Sequence, residues 1–312
     1  MKAILSLFAL FLSLTLTSQS QTATWYLNDI SGNGIQSPSN TASGVYSTAM
    51  GSETTASGNA STAMGTNTTG SGNYSTAMGT NTTASGIGST AMGTYTTASG
   101  NYSTAMGGET IASEDVSTAM GFLTKAIGGG STAMGINTTA SGEHSTAMGF
   151  STKASDRASL VIGEYNLLGS TVTSNATSFN LENTAFVIGN GTGSNSRSDA
   201  LVVKFNGDAT LAGNLDINSD ARLKANIISL GSTLAKLLQI DGKTYIMKKD
   251  QKKKQKIGLL AQDIEKVFPE LVSESHGVKS VNYQGLVPVL INALKEQEER
   301  IKRLEELLFD LK

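Results

Sequence analysis

The chain has no cysteine, three prolines, one tryptophan and only 15% charged residues in 312 positions. Without cysteine there is no disulfide framework, so stability has to come from packing and association. The prolines stand at 38, 269 and 288, which leaves every backbone N–H from Ser39 to Phe268 free to join a hydrogen-bonded ladder. The two histidines, His144 and His276, are alone in their segments and support no metal site, and no cofactor is expected. A net charge of -2 gives no bulk attraction to nucleic acid. Long hydrophobic runs are missing after the first 20 residues, so no membrane span is expected in the mature chain.

The scarcity of charge is uneven. Of 23 Lys/Arg and 25 Asp/Glu, 17 and 13 lie after position 218. The chain is thus a charge-poor body rich in Gly, Ser, Thr and Ala, followed by a charged C-terminal domain. At the other end, Lys2, the apolar run Ala3 to Leu16, and the small residues Ser18 and Ser20 before Gln21 read as a secretory signal. The run is shorter than the roughly 20 residues that a membrane-spanning helix needs. We therefore expect a signal peptide over 1–20 and a secreted or cell-surface product.

What is abundant is repetition. Ser-Thr-Ala-Met-Gly recurs every 14 residues, with its methionine at Met50, Met64, Met78, Met92, Met106, Met120, Met134 and Met148. A unit this short cannot bury a core alone and has to stack on its neighbours, giving a one-dimensional array. Each unit splits into two halves ending in Gly, as in Tyr74 to Gly79 followed by Thr80 to Gly86. That pattern reads as strand, turn, strand, turn, one coil of a β-solenoid with glycine at the corners. Within a strand Thr76 and Met78 face one way and Ser75, Ala77 and Gly79 the other. Either set can fill the narrow interior, and the remaining apolar surface suggests that chains pack together along the rod. A disordered tract does not keep such a register, and the recurring Thr80, Thr82 and Thr83 read as filler of a solvated β-face more readily than as an ice-binding array.

The array resembles the head repeats of trimeric adhesins in its 14-residue spacing and its small-small-apolar-Gly core. Degenerate copies closer to that family's own version stand at Leu160-Val161-Ile162-Gly163 and Phe186-Val187-Ile188-Gly189. The resemblance implies a left-handed parallel β-roll assembled as a trimer. It departs from that family at its end, where no membrane β-barrel anchor follows. Between Asn190 and Asp208, Gly- and Ser-rich turns flank the alternating segment Ala200 to Phe205, which reads as a hairpin collar.

The C-terminal domain carries four ordered blocks: Ser219-Asp220-Ala221-Arg222-Leu223-Lys224, Ile257 to Val272, Val281 to Leu286, and Ala293 to Glu296. They resemble the intramolecular chaperone domain of phage tail spikes and endosialidases, which also occurs in a membrane-tethered animal transcription factor. The resemblance implies a domain that trimerises, templates the folding of the β-rich stalk before it, and then cuts itself off ahead of the serine of its first block. Carried over residue by residue, Ser219 is the nucleophile, Lys224 the general base and Asn218–Ser219 the scissile bond, with Asp220 and Arg222 in support. The residue types suit that chemistry, because a serine hydroxyl needs a base and a neutral lysine can be one. Residues five apart do not meet on a regular helix or strand, so the pair requires a bend or a partner subunit. The alternative is that Ser219 or Asp220 caps a helix and Lys224 is a solvated charge.

Val287, Leu290, Leu294, Gln297, Ile301, Leu304, Leu308 and Leu311 alternate spacings of three and four, a coiled-coil seam with one polar interruption. The alternative is a helix packed on its own domain. The Lys-rich run at 248–256 has no aromatic partner and reads as a solvated hairpin loop. The expected organisation is a signal at 1–20, an N-terminal segment at 21–39, repeats at 40–163, a degenerate repeat and β collar at 164–218, and an α+β domain at 219–312 with its coiled coil from about 286. These features point to an exported homotrimeric fibre or adhesin-like protein matured by a single self-cleavage, or to an uncleaved surface adhesin whose C-terminal domain is a permanent clamp. A turnover protease is disfavoured, since no second catalytic set is visible.

Overall fold

The computed structural model describes residues 26–27, 35–36, 39–168, 176–250 and 252–311. The expected signal segment, 1–20, lies outside the described residues. The chain falls into two compact units that divide between Leu215 and Asp216.

In the first unit each 14-residue repeat is one coil of a parallel β-solenoid. A five-residue strand such as Thr90–Thr94 is followed by a two-residue strand such as Thr97–Ala98. Corresponding strands stack in register, so Thr90, Ala91, Met92 and Gly93 stand beside Thr104, Ala105, Met106 and Gly107 of the next coil. The long strands belong to a 14-stranded sheet and the short ones form a 9-stranded sheet across the coil. The degenerate copies continue the stack, with Leu160, Val161, Ile162 and Gly163 beside Phe186, Val187, Ile188 and Gly189. Beyond them the pairing turns antiparallel through Asp199–Lys204 and Ala209–Leu211, which ends the run of coils.

The two ways of filling the interior are resolved in favour of the smaller side chains. Ser75 and Ala77 are buried while Thr76 and Met78 are half-exposed, and Thr82 and Ala84 fill the tube from the short-strand side. A coil interior of two alanines, a serine and a threonine buries very little. At about 0.8 kcal/mol per buried CH₂ against roughly 1–2 kcal/mol of backbone ordering per residue, one coil cannot persist alone. Stacking supplies the rest: Thr76 N–H donates to Ser89 at 2.9 Å and Thr90 N–H to Ser103 at 2.9 Å, coil after coil.

The corners follow the glycine expectation in part: Gly79 and its equivalents take positive φ (+121 at Gly79), while Gly86 and its equivalents do not. The left-handed corner positions are held mainly by other residues, among them Tyr74 (φ 60), Asn81 (φ 53), Tyr102 (φ 56) and Val116 (φ 59). Glycine is required where coils touch. A Cβ on Gly93, which has φ +125, would sit 1.9 Å from the Gly107 carbonyl oxygen, and one on Gly86 1.9 Å from that of Gly100. Amide side chains seal the corners: Asn73 accepts from the Asn59 N–H at 2.9 Å, and Asn101 from the Ile87 N–H at 3.0 Å.

The second unit is a small α+β fold. Helix α1 (Leu234–Leu237) precedes an antiparallel hairpin, Lys243–Ile246 with Gln255–Gly258, whose connection carries the exposed lysines of the Lys-rich run. Helix α2 (Ala261–Val267) leads to a second hairpin, Val272–Ser275 with Val278–Val281, and the chain ends in the long helix α3 (Leu286–Asp310). Ile264, Phe268, Leu271, Leu286 and Val289 form the core, with Leu237, Ile240 and Val281 packed against it. Among the described residues, no helix is long and apolar enough to cross a membrane.

Candidate functional site

The segment from Asp216 to Ser219 is exposed and has no regular structure, and a single 3-10 turn, Ala221–Leu223, follows it. Asp220 starts that turn with extended backbone and accepts from the Arg222 N–H at 2.8 Å. Its carboxylate also takes the Arg222 guanidinium, at 2.6 Å from Nη2 and 3.1 Å from Nε. The guanidinium, aided by the backbone N–H of the same residue, holds the Asp220 carboxyl below the usual carboxylate range. Both partners are exposed, so this pair shapes the turn more than it stabilises the domain.

The turn supplies the bend that spacing alone does not. Lys224 leaves it with extended backbone, its N–H returning to the Ala221 carbonyl at 3.0 Å. Its ammonium Nζ donates to Ser219 Oγ at 2.8 Å. The structure thus brings Ser219 and Lys224 together within one chain and places Asp220 as a cap and Arg222 as its brace. Asn218, on the other side of the Asn218–Ser219 bond, is exposed. Leu223, Ile227 and Ile228, which follow in the chain, are 72%, 66% and 86% exposed.

Helix α3 presents two faces. Leu286, Val289 and Ala293 are buried against the unit's own core. Val287, Leu290, Leu294, Ile301, Leu304, Leu308 and Leu311 stay exposed, and residues 297–311 are exposed all round. The helix therefore packs on its own domain with one face while the heptad seam lies on another. Glu296 joins α3 to α1: its carboxylate accepts from the Ser232 hydroxyl at 2.6 Å, from the Thr233 N–H, and from the Leu234 N–H at 3.1 Å. The Ser232 hydroxyl, then the Thr233 N–H, lowers the Glu296 pKa. Sequence reasoning placed Glu296 only as the end of the fourth block. Its partners lie 62 to 64 residues upstream, and no local pattern announces them.

The YadA head domain repeat model matches residues 42–68, 71–96, 98–124 and 126–163. The family model described as chaperone of endosialidase matches residues 219–273, a narrower span than that of the four blocks. The long tail fiber protein Gp37 of Enterobacteria phage M1 is 35% identical over 102 residues, covering 30% of this chain and 41% of that protein. Its namesake from Salmonella phage S16 is 30% identical over 119 residues, covering 35% of this chain and 16% of the relative. The chain thus spans well under two thirds of these curated relatives. It carries YadA head domain repeats followed by a chaperone-of-endosialidase domain.

Proposed function

We propose that this chain is part of an exported homotrimeric fibre of adhesin type, whose C-terminal domain aligns three chains and then cuts itself off ahead of Ser219. The observation that carries the reading is the α3 seam. Six large apolar residues at heptad spacing, with Leu311 at the C-cap, face solvent on a helix whose first turns are already packed through Leu286, Val289 and Ala293. A seam of that kind is stable when it meets copies of itself. The half-exposed methionine column along the solenoid gives the same chain a second surface of the same need, and the relatives are long tail fiber proteins by name.

The contact between Ser219 and Lys224 supports the self-cleavage reading. Neutral Lys224 takes the hydroxyl proton, and Oγ attacks the Asn218 carbonyl carbon. The C–N bond to Ser219 breaks, the freed amine takes up a proton, and the product is an ester between Asn218 and the Ser219 side chain. Water then opens the ester, leaving the Asn218 carboxylate and the intact hydroxyl on the released domain. Excluding water from an amine favours its neutral form, and the exposed Leu223, Ile227 and Ile228 are the surface that assembly would cover. Intact mass of the refolded chain tests this reading. We expect release of residues 219–312 from the wild type, none from Ser219→Ala, and none from Lys224→Arg, because a guanidinium stays protonated. A wild-type chain that remains whole would make the domain a permanent clamp, and equal cleavage in Ser219→Ala would remove Ser219 as nucleophile.

A further inference from the structure

We propose that the assembly face of the rod is graded, and that copies of this chain join most tightly along its last coils through a ridge of Phe122, Ile136 and Phe150. This rests on the trimer reading above. In the earlier coils the fifth residue of the long strand is Ser52, Thr66, Thr80, Thr94 or Gly108. The next three coils place Phe122, Ile136 and Phe150 there, directly beside one another in register. They are 47%, 47% and 37% exposed, so one chain leaves a continuous apolar strip in water. Phe150 meets the Tyr165 ring edge to face at 5.2 Å, and Arg197 lies over that ring at 5.4 Å while donating to the Ser151 and Asn166 carbonyls. The strip ends there, where Glu164 takes the register position beside Phe150.

The occupant that fits is a second copy of the chain in parallel. The long strands from Thr48 to Phe150 carry no charged side chain, so an acidic or basic partner finds no counter-charge on them. The interfaces of a cyclic trimer are heterologous, but with the symmetry axis along the rod a ridge that lies at the axis brings the three copies of one residue to the same level, where only apolar area is needed. Phe122 meets Phe122 and Ile136 meets Ile136, whereas the equivalent levels of the earlier coils bring hydroxyls or glycine together. The last coils close first on assembly and open last, and the coils around Met50 to Met92 fray first.

Hydrogen exchange on the full chain, with light scattering for its mass, tests the gradient. In a wild-type trimer we expect amides of residues 118–150 to exchange about tenfold or more slowly than those of residues 62–94. The triple variant Phe122→Thr, Ile136→Thr, Phe150→Thr should lose that difference. Threonine already occupies the same register at Thr66, Thr80 and Thr94, so the variant coil is one this fold accepts. Even exchange along a wild-type trimer, or a gradient that survives in the triple variant, overturns the inference and leaves the trimer standing. A monomeric wild type overturns the trimer reading itself.

Discussion

Replacing Gly93 by alanine should be far more damaging than a surface glycine substitution, and the contact geometry gives the size. Gly93 has φ +125, and an added Cβ would lie 1.9 Å from the Gly107 carbonyl oxygen. Carbon and carbonyl oxygen normally approach to roughly 3.3 Å, so that oxygen has to move by more than 1 Å. Such a shift carries the flanking bonds between these two coils, Thr90 N–H to Ser103 at 2.9 Å and Glu109 N–H to Thr94 at 2.8 Å, beyond useful range. Two lost bonds at about 1 kcal/mol each and about 1–3 kcal/mol of backbone strain sum to roughly 3–5 kcal/mol per chain. Gly207 is the control: its φ is +89, but no atom lies within 4 Å of an added Cβ, so Gly207→Ala carries strain alone, about 1–3 kcal/mol. Denaturant unfolding followed by circular dichroism should show a larger midpoint loss for Gly93→Ala, with the slope unchanged. If the two variants lose the same amount, inter-coil contact does not dictate glycine at this position.

Two further outcomes follow from the second unit. The folded-state pKa of Glu296 is depressed by the Ser232 hydroxyl and the Thr233 N–H, so its contribution to stability is present above the ordinary value of 4.5 and is lost as pH falls through the folded value. The gap in melting temperature between wild type and Glu296→Gln should therefore be widest near neutral pH and close on acidification below that value; a gap independent of pH would sink the assignment. Replacing Leu294 and Ile301 by aspartate puts charge on the seam at residues that are 68% and 44% exposed in the single chain. Sedimentation should then give a folded monomer of the C-terminal unit, and persistence of the trimer would count against the seam.

The repeat period, the strand pairs and the degenerate copies were legible in the sequence because each coil repeats the same small vocabulary at fixed spacing. Which face turns inward was not, since Ala77 and Met78 are both apolar, and steric capacity of the narrow tube decides for Ala77. The glycine rule was legible only in part for a related reason. Corner conformation and inter-coil clearance both select glycine: Gly79 takes positive φ as expected, Gly86 serves clearance alone, and Tyr74 and Asn81 hold left-handed corners. In the C-terminal unit the residue types of the Ser219 turn were readable but its bend was not, because a one-turn 3-10 segment carries no periodicity. The Glu296 bridge to Ser232 and Thr233 is purely tertiary.

The tube also contains an arrangement that runs against ordinary polar packing. Thr82, Thr96, Thr110, Thr124 and Thr138 are fully buried, and their hydroxyls have no hydrogen-bond partner among the described residues. A buried hydroxyl without a partner forfeits its hydration for nothing, a penalty of about 1–3 kcal/mol. β-Branched shape explains why threonine fits this column, and valine keeps that shape without the hydroxyl. Thr96→Val should therefore raise the unfolding free energy by about 1 kcal/mol or more. The first member of the column behaves differently, because Thr54 Oγ1 donates to Asn40 Oδ1 at 2.7 Å. Thr54→Val removes a made bond and should lower the unfolding free energy by about 1 kcal/mol. The two substitutions have identical chemistry and a shared position in the coil, so any general effect of valine on strand propensity cancels between them. Opposite signs are the expected result. If both variants lose stability, the Thr96 hydroxyl has a partner inside the tube, and the column is held by hydrogen bonding as well as by shape.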